Sequence, residues 1–279
     1  MSLSWAPWQP LRRRQPLEVL MPGSVLSVEQ DLRDKTYKAG LISRALALFR
    51  VDRITIYSDE ETTEQDKSLL AELLKYQVTP PHLKRKIFPL KEELKYAGLM
   101  PPLNLPNHRP PKEARAGAII DGLVISKEEE GCEVFLGDVG TGLLRSCKER
   151  PGDVVTVVIT STSGERVFLE RASWGRVYVG YEVELGDDLM KELERLRSSG
   201  FALIGTSRYG STQYGLLKEL AERPLAVVIG GPRTGLLQYA RRTDFDLVIN
   251  TVPGQGTETV RSEEALFSTL ALINSVLLA

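Results

Sequence analysis

Apolar positions along this chain recur with two periods, one helical and one alternating. Residues 17–26 (LEVLMPGSVL) form an apolar run broken by Pro22-Gly23, which predicts a strand running into a turn. Residues 31–50 set apolar or small side chains at Leu41, Ile42, Ala45, Leu46, Leu48 and Phe49, one face of a helix. Residues 51–57 (VDRITIY) alternate as a strand does and end in the acidic turn Ser58-Asp59-Glu60-Glu61. Residues 63–76 pair Leu69 and Leu70 with Leu73 and Leu74 at helical spacing, with Thr62 or Thr63 as the cap. Strand, helix, strand, helix opens an α/β sheet.

The pattern then breaks. Residues 78–112 hold Pro80, Pro81, Pro89, Pro101, Pro102, Pro106, Pro110 and Pro111 around a short helix candidate at 90–97. Proline removes donors and disfavours helix upstream, so this is a boundary. Residues 114–174 carry short Val- and Ile-rich runs at 117–125, 132–137, 154–160 and 166–171, separated by glycine turns. About five strands at this spacing predict a small β-barrel, by fold analogy of the oligonucleotide-binding type. From 177 the α/β pattern resumes: strand 177–183, helix 187–198, strand 201–205, helix 212–221, strands 225–229 and 247–249, and an apolar final helix. The expected organisation is an irregular leader (1–15), an α/β domain built from 16–88 and 175–279, and an inserted barrel domain (89–174).

Composition narrows the field. The 279 residues are 42% hydrophobic and 26% charged, as in ordinary globular proteins. The formal net charge is −1, so a polyanion must be met by local cationic patches. Cys132 and Cys147 are too few for a disulfide framework, and with His82 and His108 they lack metal-ligand spacing, so no metal is expected. No run reaches the about 18 apolar residues of a membrane span, and the Arg12-Arg13-Arg14 leader has no signal-peptide core. A cytoplasmic protein is expected.

Three strand ends lead into loops: Gly205-Thr206-Ser207, Gly230-Gly231-Pro232 and Asn250-Thr251-Val252-Pro253-Gly254. Such loops at the carboxyl ends of buried strands are where an α/β sheet holds a ligand. Residues 205–210 (GTSRYG) lack the second glycine of a dinucleotide fingerprint. Residues 230–235 (GGPRTG) run on into Leu236-Leu237, without the lysine of a phosphate loop.

The loop series resembles the C-terminal half of the SPOUT superfamily of S-adenosylmethionine-dependent RNA methyltransferases. It matches a G-G-P-x-x-G loop at 230–235 and an apolar-Pro-x-x-G loop at 252–256. Upstream, residues 39–54 (AGLISRALALFRVDRI) are similar to the family's first motif, a glycine followed four residues later by Arg44 and then a Phe-Val-Asp turn. The family's asparagine before that glycine is absent; Lys38-Ala39 stands there. The phrases FRVDRITIYSD and PPLNLPNHRP are similar to the archaeal and eukaryotic branch with an inserted OB-fold-like domain.

This resemblance implies an α/β trefoil-knot domain with an inserted OB-like barrel, a homodimer with active sites at the subunit interface, and RNA, in particular ribosomal RNA, as partner. It implies S-adenosylmethionine held by Thr206, Gly230, Gly231, Gly235, Val252, Pro253, Gly256 and Thr257. Arg44 is the first catalytic candidate. Residues 260–265 (VRSEEA) are similar to the R-T-E-T-A segment of enzymes that methylate N3 of a ribosomal uridine, which makes Glu263 a proton acceptor and Arg261 an RNA or partner contact. Uridine N3 and ribose 2′-O are both open as acceptors. Candidate RNA contacts are Arg12, Arg13, Lys84, Arg85, Lys86, Arg241 and Arg261, since clustered cations give salt-dependent backbone affinity. A catalytically silent RNA-binding or assembly protein that keeps the fold is the alternative.

Overall fold

A computed structural model describes residues 8–164 and 166–278; the first seven residues of the expected leader lie outside them. In chain order the strands and helices are β1 (Leu17–Pro22), α1 (Leu32–Leu48), β2 (Arg53–Ser58), α2 (Glu64–Val78) and α3 (Pro81–Ile87). There follow β3 (Ile119–Glu128), β4 (Gly131–Phe135), β5 (Thr141–Leu144), β6 (Val154–Ser163) and β7 (Arg166–Arg171). The chain ends with β8 (Glu182–Asp188), α4 (Leu189–Ser198), β9 (Ala202–Ser211), the single turn α5 (Leu216–Glu219), β10 (Leu225–Val228), β11 (Leu247–Ile249) and α6 (Ser262–Leu278).

Two compact units result. The larger comprises Arg13–Val78, Lys91–Leu103 and the chain from Gly180 onward. Its six strands pair in parallel in the order β11-β9-β10-β1-β2-β8. Every residue of β1 and β10 is buried, as expected of parallel strands covered on both faces. Leu189, Leu193 and Leu196 of α4 close the core over Leu203, Ala226 and Val228, each leucine contributing about 1.5–3 kcal/mol by its burial. The order β11-β9-β10 sets three carboxyl ends side by side.

The smaller unit comprises residues 8–12, Thr79–Leu90 and Asn104–Val179. Its five strands close into a barrel in the order β3-β4-β5-β7-β6, filled by Ile120, Val124, Val134, Leu144, Val157, Ile159 and Leu169. Cys132 and Cys147 form one disulfide inside this unit, with Cα atoms 5.6 Å apart.

Three expectations shift. Residues 91–103, read from the prolines as part of the insert, pack on the α/β unit. The bare Gly40 of α1 admits them: a Cβ there would stand 2.9 Å from Met100 Cγ and Pro101 Cδ, and the Gln77 amide donates to Pro101 O at 2.5 Å. The strand expected at 177–183 starts later, at Glu182, because Val177 makes an antiparallel bridge with Leu11. The helix expected at 212–221 shrinks to α5.

One polar group sits in the sheet. Glu18 of β1 is 3% exposed; Thr55 Oγ1 donates to its Oε1 at 2.7 Å and Arg195 Nη2 at 2.6 Å. Removing one partner of a buried ion pair strands the other charge. Arg195→Ala should therefore lower the stability of the chain by about 3 kcal/mol in urea denaturation. A variant as stable as the parent would assign no structural weight to the pair.

Candidate active site

The three loops are shaped by the strands they leave. Strand β9 pairs with β11 at Ile204↔Leu247 and Gly205↔Val248, and again only at Ser211↔Ile249. Residues 206–210 thus leave the ladder as an excursion. Gly210 permits the return, because a Cβ there would lie 2.2 Å from the Ile249 carbonyl carbon. Asn250 staples excursion to loop: its Nδ2 donates to Arg208 O at 2.9 Å, and its Oδ1 accepts from Val252 N at 3.0 Å.

The end of β10 is held by three hydroxyls. Thr206 Oγ1 donates to Val228 O at 2.9 Å, Tyr57 Oη to Ile229 O at 2.8 Å and Ser262 Oγ to Gly230 O at 3.2 Å. Three consecutive carbonyls beyond the sheet ladder are satisfied by side chains from β9, β2 and α6. Burial raises the Tyr57 hydroxyl well above the ordinary tyrosine range, so it stays a donor. Beneath the next turn, Asp59 accepts from Ser24 Oγ at 2.6 Å, and a Cβ at Gly231 would stand 2.8 Å from Asp59 Oδ2. Arg233 pairs with Glu61 at 3.0 Å, so the acidic turn after β2 braces the glycine loop.

Between the loops lies an open cleft of about 410 Å³, the size range of small-molecule sites. Of the expected cofactor residues it is lined by Thr206, Gly230, Gly231, Gly235 and Val252. Pro253, Gly256 and Thr257 lie outside the lining, exposed on either side of the turn at Gly254 (φ +68°). Gly230 is required by the loop itself, since a Cβ would meet Leu236 N at 2.5 Å; Gly235 faces open space. Arg208, Tyr209 and Glu258 line the cleft as well, and Glu258 is the one carboxylate among the described lining residues. The sequence placed Arg208 and Tyr209 in a loop but attached no chemistry to them or to Glu258.

The two catalytic candidates stand elsewhere. Arg44 donates from Nη1 to Pro102 O at 3.1 Å and Leu103 O at 3.0 Å, which fixes the guanidinium on the face of α1. Glu263 is 9% exposed and faces α1, where its Oε2 lies 3.4 Å from Nζ of the buried Lys38. Lys38 also pairs with Glu29 at 3.0 Å, and Arg261 reaches Glu29 at 3.4 Å and Glu263 at 3.8 Å. Two cations and two carboxylates thus lock the start of α6 to α1. Lys38, the departure from the family's asparagine, is the most deeply buried member of that lock.

The candidate RNA contacts are divided between the two units. In the barrel unit Lys84, Arg85 and Lys86 share α3; burial lowers Lys84 to about 8, and Lys86 Nζ lies 5.5 Å from the Phe135 ring centre. Arg12 N donates to Arg176 O at 2.7 Å. In the α/β unit Arg13 donates to Phe49 O and Asn274 Oδ1, and Arg241 is exposed at the turn closed by Asp244. Among the described residues no helix is long and apolar enough to cross a membrane.

A parallel α/β sheet with a backbone-lined cleft at adjacent strand ends in one unit, and a closed five-stranded barrel in the other, match what the sequence resembles at family level. Residues 16–273 fit the family described as "Putative RNA methyltransferase", and the chain belongs to that family. An uncharacterised protein of Haloarcula marismortui is 32% identical over 280 residues, covering 91% of this chain and 97% of its own. The human 28S rRNA (uridine-N(3))-methyltransferase is 31% identical over 298 residues, covering 92% of this chain and 77% of that protein. The rRNA methyltransferase of Sinorhizobium meliloti shows only a distant likeness, with a TM-score of 0.43 and 10% identity over 98% of this chain and 60% of that one.

Tyr57→Phe deletes the donor to a buried carbonyl and adds nothing. It should cost about 1–3 kcal/mol in denaturant titration and speed amide exchange in residues 229–236. Unchanged exchange there would mean the hydroxyl does not hold the loop.

Proposed function

We propose that the protein binds S-adenosylmethionine in the cleft at the ends of β9, β10 and β11 and transfers its methyl group to N3 of a uridine in ribosomal RNA. The carrying observation is the cleft itself: three neighbouring loops, rich in glycine main chain, with hydroxyls already occupying the inner carbonyls of β10. Main chain of residues 230–235 and 250–252 would hold the cofactor, and glycine lets a ligand approach it closely. The bound group supplies an activated methyl on sulfonium. The chain must then align the acceptor and take a proton from it.

Ribosomal RNA and uridine N3 are taken from the similarity to the human enzyme. The barrel order β3-β4-β5-β7-β6, with β5 and β7 parallel, is compatible with an OB-like fold and with a role in RNA binding. The sheet order β11-β9-β10, with loops 230–235 and 250–257 beside each other, is compatible with a trefoil knot. A homodimer is part of the same reading: Leu41 and Leu48 of α1 and Phe267 of α6 are exposed apolar side chains. Arg44 shares the face of α1 that carries Leu41 and Leu48, by its spacing of three and four residues. In a dimer it would sit at the interface and could reach RNA phosphate as a fixed cation.

Gly235 and Gly256 both have open space where a Cβ would be, and only Gly235 lines the cleft. Gly235→Val should weaken S-adenosylmethionine binding by about tenfold or more in calorimetry, with the melting temperature unchanged. Gly256→Val should leave it within about twofold. Equal affinities in both variants would move the cofactor out of this cleft.

A further inference from the structure

The corner of the cleft made by Arg208, Tyr209 and Glu258 belongs to none of the features that hold the glycine loops. Tyr209 is 64% exposed, yet it is not a loose side chain on a loose loop. The carbonyls on both sides of it are taken by side chains: Asn250 Nδ2 donates to Arg208 O, and the Arg242 guanidinium donates to Tyr209 O. Its own N–H is satisfied by Ser207 Oγ at 3.2 Å. The Arg208 guanidinium lies over the phenol ring, with Cζ 4.9 Å from the ring centre. The same guanidinium donates to Glu258 O at 3.4 Å, which ties the excursion from β9 to the loop beyond β11.

The chain therefore interrupts a sheet ladder, satisfies the freed backbone with side chains, and holds a large aromatic in water. Leaving an aromatic exposed forgoes burial. A fixed aromatic face backed by a cation is the geometry on which single-stranded bases stack. The residue beside it selects among bases. A carboxylate accepts and cannot donate, so Glu258 suits a ring that presents an N–H, as N3 of uracil does, and repels cytosine, whose N3 offers only a lone pair.

Resting on the methyl-transfer reading above, we propose that Arg208, Tyr209 and Glu258 form the acceptor-base subsite. An unpaired uracil stacks on Tyr209 and presents its N3–H to the Glu258 carboxylate. During transfer the N3 proton passes to that carboxylate as the new N3–C bond forms, and the electron pair of the breaking C–S bond stays on sulfur. Glu263, sealed against Lys38, is left the task of anchoring α6.

The test uses the full-length protein and two labelled single-stranded RNA probes that differ by one uridine-to-cytidine exchange. Fluorescence anisotropy reads probe affinity without cofactor, and calorimetry reads S-adenosylmethionine affinity for every variant. The parent should prefer the uridine probe. Tyr209→Ala should weaken both probes by about tenfold. Glu258→Gln should lose or reverse the uridine preference, because the amide can donate to cytosine N3. Both variants should bind S-adenosylmethionine as the parent does. If they do, and discriminate between probes as the parent does, the subsite assignment is overturned and the cofactor reading stands. If the parent itself fails to bind S-adenosylmethionine, the cofactor reading falls and the subsite with it.

Discussion

The cleft depends on how three consecutive carbonyls at the end of β10 are satisfied. Val228, Ile229 and Gly230 lie where the sheet ends, and a buried carbonyl without a donor costs about 1–3 kcal/mol. Thr206, Tyr57 and Ser262 each supply one hydroxyl, from β9, β2 and α6. Segments far apart in sequence are thereby bound to a single peptide run. The loop that follows can then keep an open, ligand-sized shape. It leans on the acidic turn after β2 through Glu61 and on Asp59 below Gly231, so both ends of the α/β unit brace it.

The charges around the cleft divide the work. Arg208 and Arg233 line it, and both guanidiniums are held by protein groups. Glu258 is the single acidic group among the described lining residues. The neighbouring lock of Lys38, Glu29, Glu263 and Arg261 uses the same residue types to a different end, pinning the start of α6, whose Ser262 completes the hydroxyl clamp.

Much of this was legible in the residues. The periods of 3.6 and 2 located β1, α1, β2, α2, β10, β11, α6 and the barrel strands β3, β4, β6 and β7, because each has a face that must be buried, whereas β5 falls where a glycine turn was read. The glycine loops marked the cleft, and residues 39–54 tied α1 to it. What stayed hidden depends on partners distant in sequence. Nothing in the pattern of β2 says that the Tyr57 hydroxyl reaches Ile229. Glu263 reads as a free carboxylate at a helix start until Lys38 is seen against it. Pro253, Gly256 and Thr257 match a motif by spacing, and spacing does not say that Val252, Gln255 and Glu258 of the same loop line the cleft while these three do not. The proline-rich stretch 91–103 reads as linker because its anchor, Gly40, is a residue with no side chain to signal contact.

The most direct measurement is transfer of labelled methyl from S-adenosylmethionine to ribosomal RNA that lacks the modification, followed by digestion to nucleosides. The account predicts label in 3-methyluridine and in a single position of the RNA. Label in a ribose-methylated nucleoside, or none with a protein shown to bind the cofactor, would contradict it.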